Sequence, residues 1–259
     1  MIAIILGAGE GNRLRPHTSD RPKCLVELAG KSMLERECDV LRACGIEDIH
    51  VVTGYRADQI ERLGHSTFHN PDFASTNMVT SFLCARELLD RGEDVLVSYA
   101  DIVYEPRVVE ALLACEADVS LAVNTRWREL WETRMDDPLS DAETLKVDAA
   151  GNLVEIGKEA SSYDEVEGQY MGLILFRAAA AGRIGAVHDD LDPKAIYDGK
   201  DLPNMYMTSF LQHWVDHVSP IRTVMIDGGW LEVDTVEDLA IYQGLIDEGR
   251  LDDHCRLGD

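Results

Sequence analysis

Short apolar runs alternate with amphipathic stretches along the first half of the chain. The runs are continuous and rich in β-branched residues, a pattern typical of parallel strands buried on both faces. They predict strands over 2–6, 49–53, 95–99 and 119–123. The stretches between them have helical spacing and predict helices over 31–44, 55–63, 80–90 and 105–115. Such regular alternation of strand and helix indicates a doubly wound parallel sheet.

The second half of the chain is less regular. Residues 127–141 are polar and aromatic, and short apolar runs at 145–147 and 153–156 flank a turn, which predicts a β-hairpin. Further strands are predicted over 171–176 and 223–226, and helices over 178–187, 208–218 and 236–248. No repeat or clear linker divides the chain. We therefore expect a single α/β domain over 1–259, Rossmann-like and doubly wound, with a mostly parallel mixed sheet and a small β-rich insertion within 125–170.

The charge balance limits the partners. The chain has 24 lysine and arginine residues against 48 aspartate and glutamate residues, a formal net charge of −24. This argues against nucleic acid, whose phosphates require a basic face. No apolar run reaches the roughly 18 residues of a membrane span, and the first residues do not form a signal peptide. Six scattered cysteines without a C-x-x-C pair favour a reducing compartment, so we expect a cytoplasmic protein.

The stretch that follows the first predicted strand departs from this acidic background. Residues 1–31 contain five basic residues against three acidic ones, which suggests an anion site. Glycines stand at 7, 9 and 11, but a dinucleotide fingerprint or a P-loop would need a further glycine where Asn12 stands. What remains is a glycine turn followed by Arg13 and Lys23.

Each part of this turn suits phosphate. Glycines let backbone N–H groups approach phosphate oxygens, arginine can fork two of those oxygens, and lysine supplies a mobile point charge. We therefore predict Arg13 and Lys23 as catalytic residues. The alternative is a strand-to-helix turn with solvated basic side chains. The predicted nucleotide-binding residues of this loop are Leu6, Gly7, Ala8, Gly9, Glu10 and Gly11.

The string G-x-G-x-R-L-x-P-x-T-x-x-x-P-K over residues 9–23 is far more specific than a glycine turn. It resembles the signature of sugar-1-phosphate nucleotidyltransferases, which join an NTP to a small phosphorylated acceptor and release pyrophosphate. The resemblance implies the nucleotide-diphospho-sugar transferase fold and catalysis by positioning and charge neutralisation. It also implies a Mg²⁺ cofactor.

The resemblance implies two metal ligands. Asp101 follows Ala100 at the end of the predicted strand 95–99, where open α/β sheets bind ligands, and Ala100 is expected to contact the nucleotide. Asp234 lies in a late E-V-D-T segment that matches the second metal-binding position of the family. The alternatives are a surface acid for Asp101 and a helix N-cap for Asp234.

Two segments narrow the resemblance to phosphocholine cytidylyltransferase-like enzymes, namely 70–81 and 232–242. The first contains Asn77 and Ser81, which lie four residues apart and would share one face of a helix. Both are predicted to contact the base of CTP, and the alternative for Asn77 is a helix cap.

The acceptor is harder to predict. Basic residues in the variable stretch, Arg126 and Lys146 among them, favour an anionic acceptor such as phosphonoformate or another phosphonic acid. The alternative for these basic side chains is a solvated face, because residues 126–141 mix both signs of charge. Tyr170 and Gly172, in a bend rich in small residues, are further candidates for acceptor contacts. Phosphocholine is the alternative, because five aromatic residues are available to surround an ammonium group. They are Trp127, Trp131, Tyr163, Tyr170 and Trp230.

We therefore predict a Mg²⁺-dependent cytidylyltransferase whose partners are CTP and a small phosphonate or phosphate acid. One rival is a sugar-1-phosphate nucleotidyltransferase that uses UTP or dTTP. A second rival is a nucleotide-sensing module without turnover. The sequence leaves the oligomeric state open, a homodimer included.

Overall fold

The computed structural model describes residues 1–258, which form thirteen β-strands and ten α-helices. The strands are β1 (Ile2–Gly7), β2 (Glu27–Leu28), β3 (Lys31–Ser32), β4 (Asp48–Thr53), β5 (Ser66–His69), β6 (Val95–Tyr99), β7 (Ile102–Tyr104), β8 (Val119–Asn124), β9 (Glu143–Val147), β10 (Leu153–Glu159), β11 (Gln169–Phe176), β12 (Arg222–Ile226) and β13 (Trp230–Glu232). The helices are α1 (Met33–Ala43), α2 (Ala57–Arg62), α3 (Met78–Leu83), α4 (Arg86–Leu89), α5 (Pro106–Ala114), α6 (Trp127–Arg134), α7 (Ala178–Ala181), α8 (Ile184–Asp189), α9 (Met207–His217) and α10 (Val236–Asp247). Among residues 1–258 no helix is long and apolar enough to cross a membrane.

Seven strands form the central sheet, in the order β12-β8-β11-β6-β1-β4-β5. All neighbours pair in parallel except β11, which is antiparallel to both β6 and β8. Helices cover both faces, and β1 shows why its sequence is continuously apolar. Ala3 and Ile5 pack in the core on one face, while Ile2 and Ile4 pack in the core on the other. The predicted mixed, mostly parallel sheet is confirmed.

The main differences from the sequence prediction lie in short elements. The edge strand β5 was not predicted, because its Ser-Thr-Phe-His sequence has no apolar run. The predicted helices 80–90 and 178–187 are each two short helices, α3 with α4 and α7 with α8. The polar, aromatic stretch after β8 forms α6, and the predicted hairpin is the antiparallel pair of β9 and β10.

A small antiparallel pair outside the central sheet positions the site. Strand β13 pairs with β7, with Glu232 opposite Ile102. The pairing continues with a hydrogen bond of 2.9 Å from the Val233 N–H to the Asp101 carbonyl. Two acidic residues that are distant in the sequence, Asp101 and Asp234, are therefore held side by side.

Candidate active site

A cavity of about 150 Å³ opens at the carboxyl ends of β1 and β6. Here the strand order reverses, since the chain runs from β1 to β4 on one side and returns to β6 on the other. Ligands of open α/β sheets bind at such a switch point. Of the nine predicted nucleotide-binding residues, seven line the cavity, namely Leu6, Gly7, Ala8, Gly9, Asn77, Ser81 and Ala100.

The remaining nucleotide-site predictions have other environments. Glu10 and Gly11 do not line the cavity, and Glu10 pairs with Arg15 at 3.2 Å. Asn77 also caps α3, because its side-chain oxygen accepts the Met78 N–H at 2.8 Å. The cap leaves the Asn77 amide nitrogen for a ligand. Contact of Asn77 and Ser81 with the base stays a prediction.

Gly11 supports the loop from behind. Its φ of 65° is in the left-handed region, and a Cβ there would lie 2.9 Å from the Cβ of Lys23. Its carbonyl accepts a hydrogen bond of 2.8 Å from the buried Thr18 hydroxyl. Gly11 therefore lets the glycine turn pack directly against the base of the Lys23 side chain.

Gly11→Ala is expected to destabilise the protein by at least about 1–2 kcal/mol, from the left-handed backbone alone. The clash with Lys23 adds to this cost. Thermal unfolding measures it, and Gly9→Ala is the matched control, because a Cβ on Gly9 meets nothing within 4 Å. Equal melting temperatures for the two variants would contradict the packing role of Gly11.

Lys23 joins the two predicted metal ligands. Its Nζ lies 2.7 Å from Asp101 Oδ2 and 2.5 Å from Asp234 Oδ1. Arg13 reaches the other oxygen of Asp234 at 3.1 Å, while most of its side chain is exposed. The four side chains singled out from the sequence thus form one cluster in space.

The charges in this cluster stabilise one another. Burial by itself would lower the pKa of Lys23, but the attraction of Asp101 and Asp234 outweighs it and raises that pKa. Burial likewise opposes ionisation of Asp234, and Lys23 still holds the pKa of this carboxyl below its usual value. The cluster is therefore a charged one, suited to exchanging its internal ion pairs for phosphate oxygens.

The carboxylates of the cluster fit a divalent ion whose remaining ligands come from a bound substrate. Within residues 1–258 no group of three or more His, Cys, Asp or Glu side chains is arranged to hold a metal. Asp101 and Asp234 supply two carboxylates, and the buried Oδ1 of Asp101 has no hydrogen-bond partner. Mg²⁺ is commonly bound by one or two carboxylates together with substrate phosphates. These two residues match that pattern.

A second cavity, of about 290 Å³, lies on the other side of the cluster. Arg13 and Asp234 line it, whereas Lys23 and Asp101 line the first cavity, and Met78 lines both. The charged cluster therefore lies at the junction of two cavities. This is where a reaction between two bound molecules would take place.

The wall of the second cavity is aromatic and acidic. Its aromatic residues are Tyr99, Trp131, Tyr170, Tyr206 and Trp230, and its acidic residues are Asp141, Glu143, Glu232 and Asp234. Trp131 and Trp230 are buried and stacked, with centroids 6.0 Å apart and an interplanar angle of 12°. Their Nε1 atoms and the Tyr170 hydroxyl have no hydrogen-bond partner among the described residues.

Among the acids of this wall, Glu143 indicates most clearly which kind of ligand group the cavity favours. It lines the second cavity, and it forms no ion pair with any cationic group of residues 1–258. Burial raises its pKa, and the nearby Asp141 and Asp198 raise it further. A cation beside Glu143 would relieve this repulsion.

Two of the four predicted acceptor residues, Tyr170 and Gly172, lie at the second cavity. Tyr170 lines the second cavity and packs edge-on against Tyr99 at 5.6 Å. Gly172 lies behind this wall, where its φ of 76° and the absence of a Cβ leave room for the Tyr99 ring. Tyr170 and Gly172 thus belong to one aromatic wall.

The structure places Arg126 and Lys146 outside both cavities. Arg126 pairs with Glu129 at 2.5 Å and lies near Asp227, and Lys146 pairs with Glu155 at 2.8 Å. Both side chains are thus neutralised by acidic residues next to them. These two side chains are therefore not brought to the cluster, and the anionic acceptor that they suggested loses its main support.

Sequence reasoning missed the acidic part of the wall. Asp141, Glu143 and Glu232 come from three places in the chain, and each is one of many acids in its neighbourhood. Of the three, only Glu232 had a signal in the sequence, because it lies two residues before Asp234 in the E-V-D-T segment. Of the five aromatic residues of the alternative cage, Trp131, Tyr170 and Trp230 line the second cavity, whereas Trp127 and Tyr163 do not.

A glycine turn, two basic residues and two carboxylates thus meet at the switch point of a doubly wound sheet, as the resemblance to nucleotidyltransferases predicts. Comparisons with known proteins agree. The model of the MobA-like NTP transferase domain matches residues 3–202. This chain belongs to that family, which confirms the resemblance to nucleotidyltransferases seen in the sequence.

One curated relative is similar over nearly its whole length. It is the CTP:phosphoglutamine cytidylyltransferase of Campylobacter jejuni, which is 40% identical over 250 residues, 93% of this chain and 98% of the relative. The predicted likeness to cytidylyltransferases is thereby confirmed.

Two solved structures share the fold. The CTP:phosphocholine cytidylyltransferase of Streptococcus pneumoniae has a TM-score of 0.69 and 20% identity, over 95% of this chain and 98% of that one. The inositol-1-phosphate CTP transferase of T. maritima has a TM-score of 0.71 and 20% identity, over 98% of this chain and 97% of that one. They confirm the predicted nucleotide-diphospho-sugar transferase type of fold.

Proposed function

We propose that this protein is a cytidylyltransferase that joins CTP to a small phosphate or phosphonate bearing an amine, with release of pyrophosphate. The observation that supports it is the second cavity, whose wall combines aromatic rings with the carboxylates of Asp141 and Glu143, neither of which forms an ion pair within residues 1–258. Such a wall favours an ammonium group over a carboxylate. The relative named for phosphoglutamine makes that compound the first candidate.

In the proposed reaction an oxygen of the acceptor's phosphoryl group attacks the α-phosphorus of CTP. A bond forms there, the bond from the α-phosphorus to the oxygen that bridges to the β-phosphate breaks, and pyrophosphate leaves. Both substrates are polyanions, so the barrier contains their mutual repulsion. The chain offsets it by positioning and by positive charge rather than by a covalent nucleophile.

Each group of the cluster has a role in this reaction. Arg13 neutralises the β- and γ-phosphates and the leaving pyrophosphate. Lys23, at the junction of the cavities, contacts the acceptor and the α-phosphate. Asp101 and Asp234 would hold Mg²⁺, which would supply neutralisation of phosphate charge. Backbone N–H groups at Ala8 and Gly9 face the nucleotide.

Pyrophosphate release with a panel of substrates tests the proposal. CTP, UTP and dTTP are each incubated with phosphoglutamine, phosphocholine, phosphonoformate and glucose 1-phosphate, in the presence of Mg²⁺. We expect turnover with CTP and an amine-bearing acceptor. A preference for UTP or dTTP with the hexose phosphate would identify a sugar-phosphate enzyme instead. CTP binding without turnover on any acceptor would favour a nucleotide-sensing module.

Glu143→Gln is expected to raise KM for an amine-bearing acceptor by about 10-fold, the loss of a charge-assisted hydrogen bond. KM for the same acceptor without its amine should not change, since that compound does not use the carboxylate. Steady-state kinetics with both acceptors measures the difference, and Glu87→Gln on α4 is the control for an exposed glutamate. Equal effects on both acceptors would contradict the assignment of Glu143.

A further inference from the structure

An arginine from the variable region lies buried behind the charged cluster. Arg134 ends α6, and its side chain is 2% exposed. Its guanidinium forks Asp238, with Nε 2.8 Å from Oδ1 and Nη2 3.1 Å from Oδ2. Its Nη1 donates to Glu232 at 3.2 Å. One arginine thus neutralises two acids that are buried or partly buried.

The partner of this arginine holds the backbone of Asp234. Asp238 Oδ2 accepts the N–H groups of both Asp234 and Thr235, each at 2.9 Å. Thr235 in turn caps α10, with its hydroxyl accepting the Asp238 N–H at 3.0 Å. The orientation of Asp234 therefore depends on the Asp238 carboxylate, and Arg134 fixes that carboxylate by two bonds.

The same arginine also supports the second cavity. Its guanidinium lies 4.9 Å from the centre of the Trp131 ring, which lines that cavity. Its other partner, Glu232, lines the cavity as well. Arg134 itself lines neither cavity. Arg134 is thus in contact with the wall of the second cavity, the proposed acceptor wall, and through Asp238 with Asp234.

We propose that Arg134 is a positioning residue that fixes Asp234 in the charged cluster and ties it to the acceptor wall. The inference deepens the proposed function and rests on it for its kinetic part. Without the guanidinium, Glu232 and Asp238 become uncompensated carboxylates beside Asp234, and their repulsion moves the segment that carries it. A displacement of about 1 Å at a reacting centre costs roughly 10²-fold in rate.

The test compares two buried arginines. Arg134→Met is expected to lower kcat by about 10²-fold and to change KM for CTP by less than about 3-fold, because Arg134 does not line the nucleotide cavity. Arg134→Lys keeps the charge but loses the two-bond fork to Asp238, so it should recover only part of kcat. Arg36→Met is the control, since Arg36 is also buried but donates only to carbonyls of Leu28, Ala29 and Leu257.

Arg36→Met should lower the melting temperature without lowering kcat of the folded enzyme. Equal losses of kcat in the two methionine variants, or an Arg134→Met enzyme within twofold of wild type, would overturn the inference.

Hydrogen exchange provides a readout that does not depend on turnover. The amides of Asp234 and Thr235 should exchange faster in Arg134→Met than in the wild type, and not in Arg36→Met. Unchanged exchange in Arg134→Met would overturn the positioning role. Wild-type protein that releases no pyrophosphate with any acceptor would instead overturn the proposed function, while the exchange result would still decide the role of Arg134.

Discussion

Replacing Lys23 by methionine is expected to lower kcat by about 10²- to 10³-fold, the size seen when a charge contact to the transition state is removed. Lys23 is the only cation that contacts both Asp101 and Asp234 among the described residues. Methionine is close in length and apolar, so it removes the charge with little change in volume. Without the charge, the two carboxylates repel each other and the incoming phosphates meet no ammonium group.

Steady-state kinetics at saturating CTP and acceptor measures this effect. Lys31→Met is the matched control, because Lys31 is also near the amino terminus but pairs with the exposed Asp39 outside both cavities. Lys23→Arg tests whether the compact shape of the ammonium group is needed in addition to its charge. A guanidinium keeps the charge but is too large to serve as a point charge between two carboxylates. Near-wild-type kcat in Lys23→Met would remove Lys23 from the mechanism.

The sequence was sufficient for the framework and for the charged cluster. Each central strand except β5 has a short apolar run that favours a strand, so the sheet could be predicted, whereas α6 and the division of two predicted helices could not. The cluster was predictable because strand ends converge at one edge of a parallel sheet and because the glycine turn follows the first strand. The resemblance to a known signature then linked Asp234 to that edge.

The acceptor wall could not be predicted in the same way. Whether an arginine or lysine binds a ligand depends on which acids surround it in space. Glu129 lies one helical turn from Arg126 and was a visible partner in the sequence, but the Lys146–Glu155 pair forms across the hairpin of β9 and β10. In a chain with twice as many acids as bases, most cations are neutralised by neighbouring acids. Three of the five aromatic residues considered for a cage, Trp131, Tyr170 and Trp230, do line the second cavity, and their contact with an acceptor stays a prediction.

The two halves of the site also differ in how they are built. The first cavity is lined by the end of β1 with its glycine turn, by Lys23 and Cys24, by the segment 73–81 that leads into α3, and by Ala100 and Asp101 after β6. The second cavity is assembled from β6, α6, β9, β11 and β13 and from the segment before α9. As the proposed acceptor site, the second cavity can change its preference through substitutions in several separate segments.

Asp101→Asn is expected to lower kcat by about 10²-fold or more and to raise the Mg²⁺ concentration for half-maximal rate by at least about 10-fold. The Asp101 carboxylate is fixed by the 2.7 Å bond from Lys23 at one oxygen, while the other oxygen is buried without a partner. An unpartnered buried carboxylate oxygen costs free energy unless a ligand uses it. Asparagine keeps the shape but halves the oxygen donors and removes the charge.

A Mg²⁺ titration of pyrophosphate release, repeated with Asp118→Asn, separates ligation from a general change in surface charge. Asp118 is exposed and precedes β8, at the opposite end of that strand from the cluster, so its variant should titrate like the wild type. Binding of Mn²⁺ to the CTP complex, followed by calorimetry, should weaken in Asp101→Asn in parallel with the kinetics. If both titrations of Asp101→Asn matched the wild type while kcat fell, Asp101 would serve only to hold Lys23, and the metal would have to be held by Asp234 and the nucleotide alone.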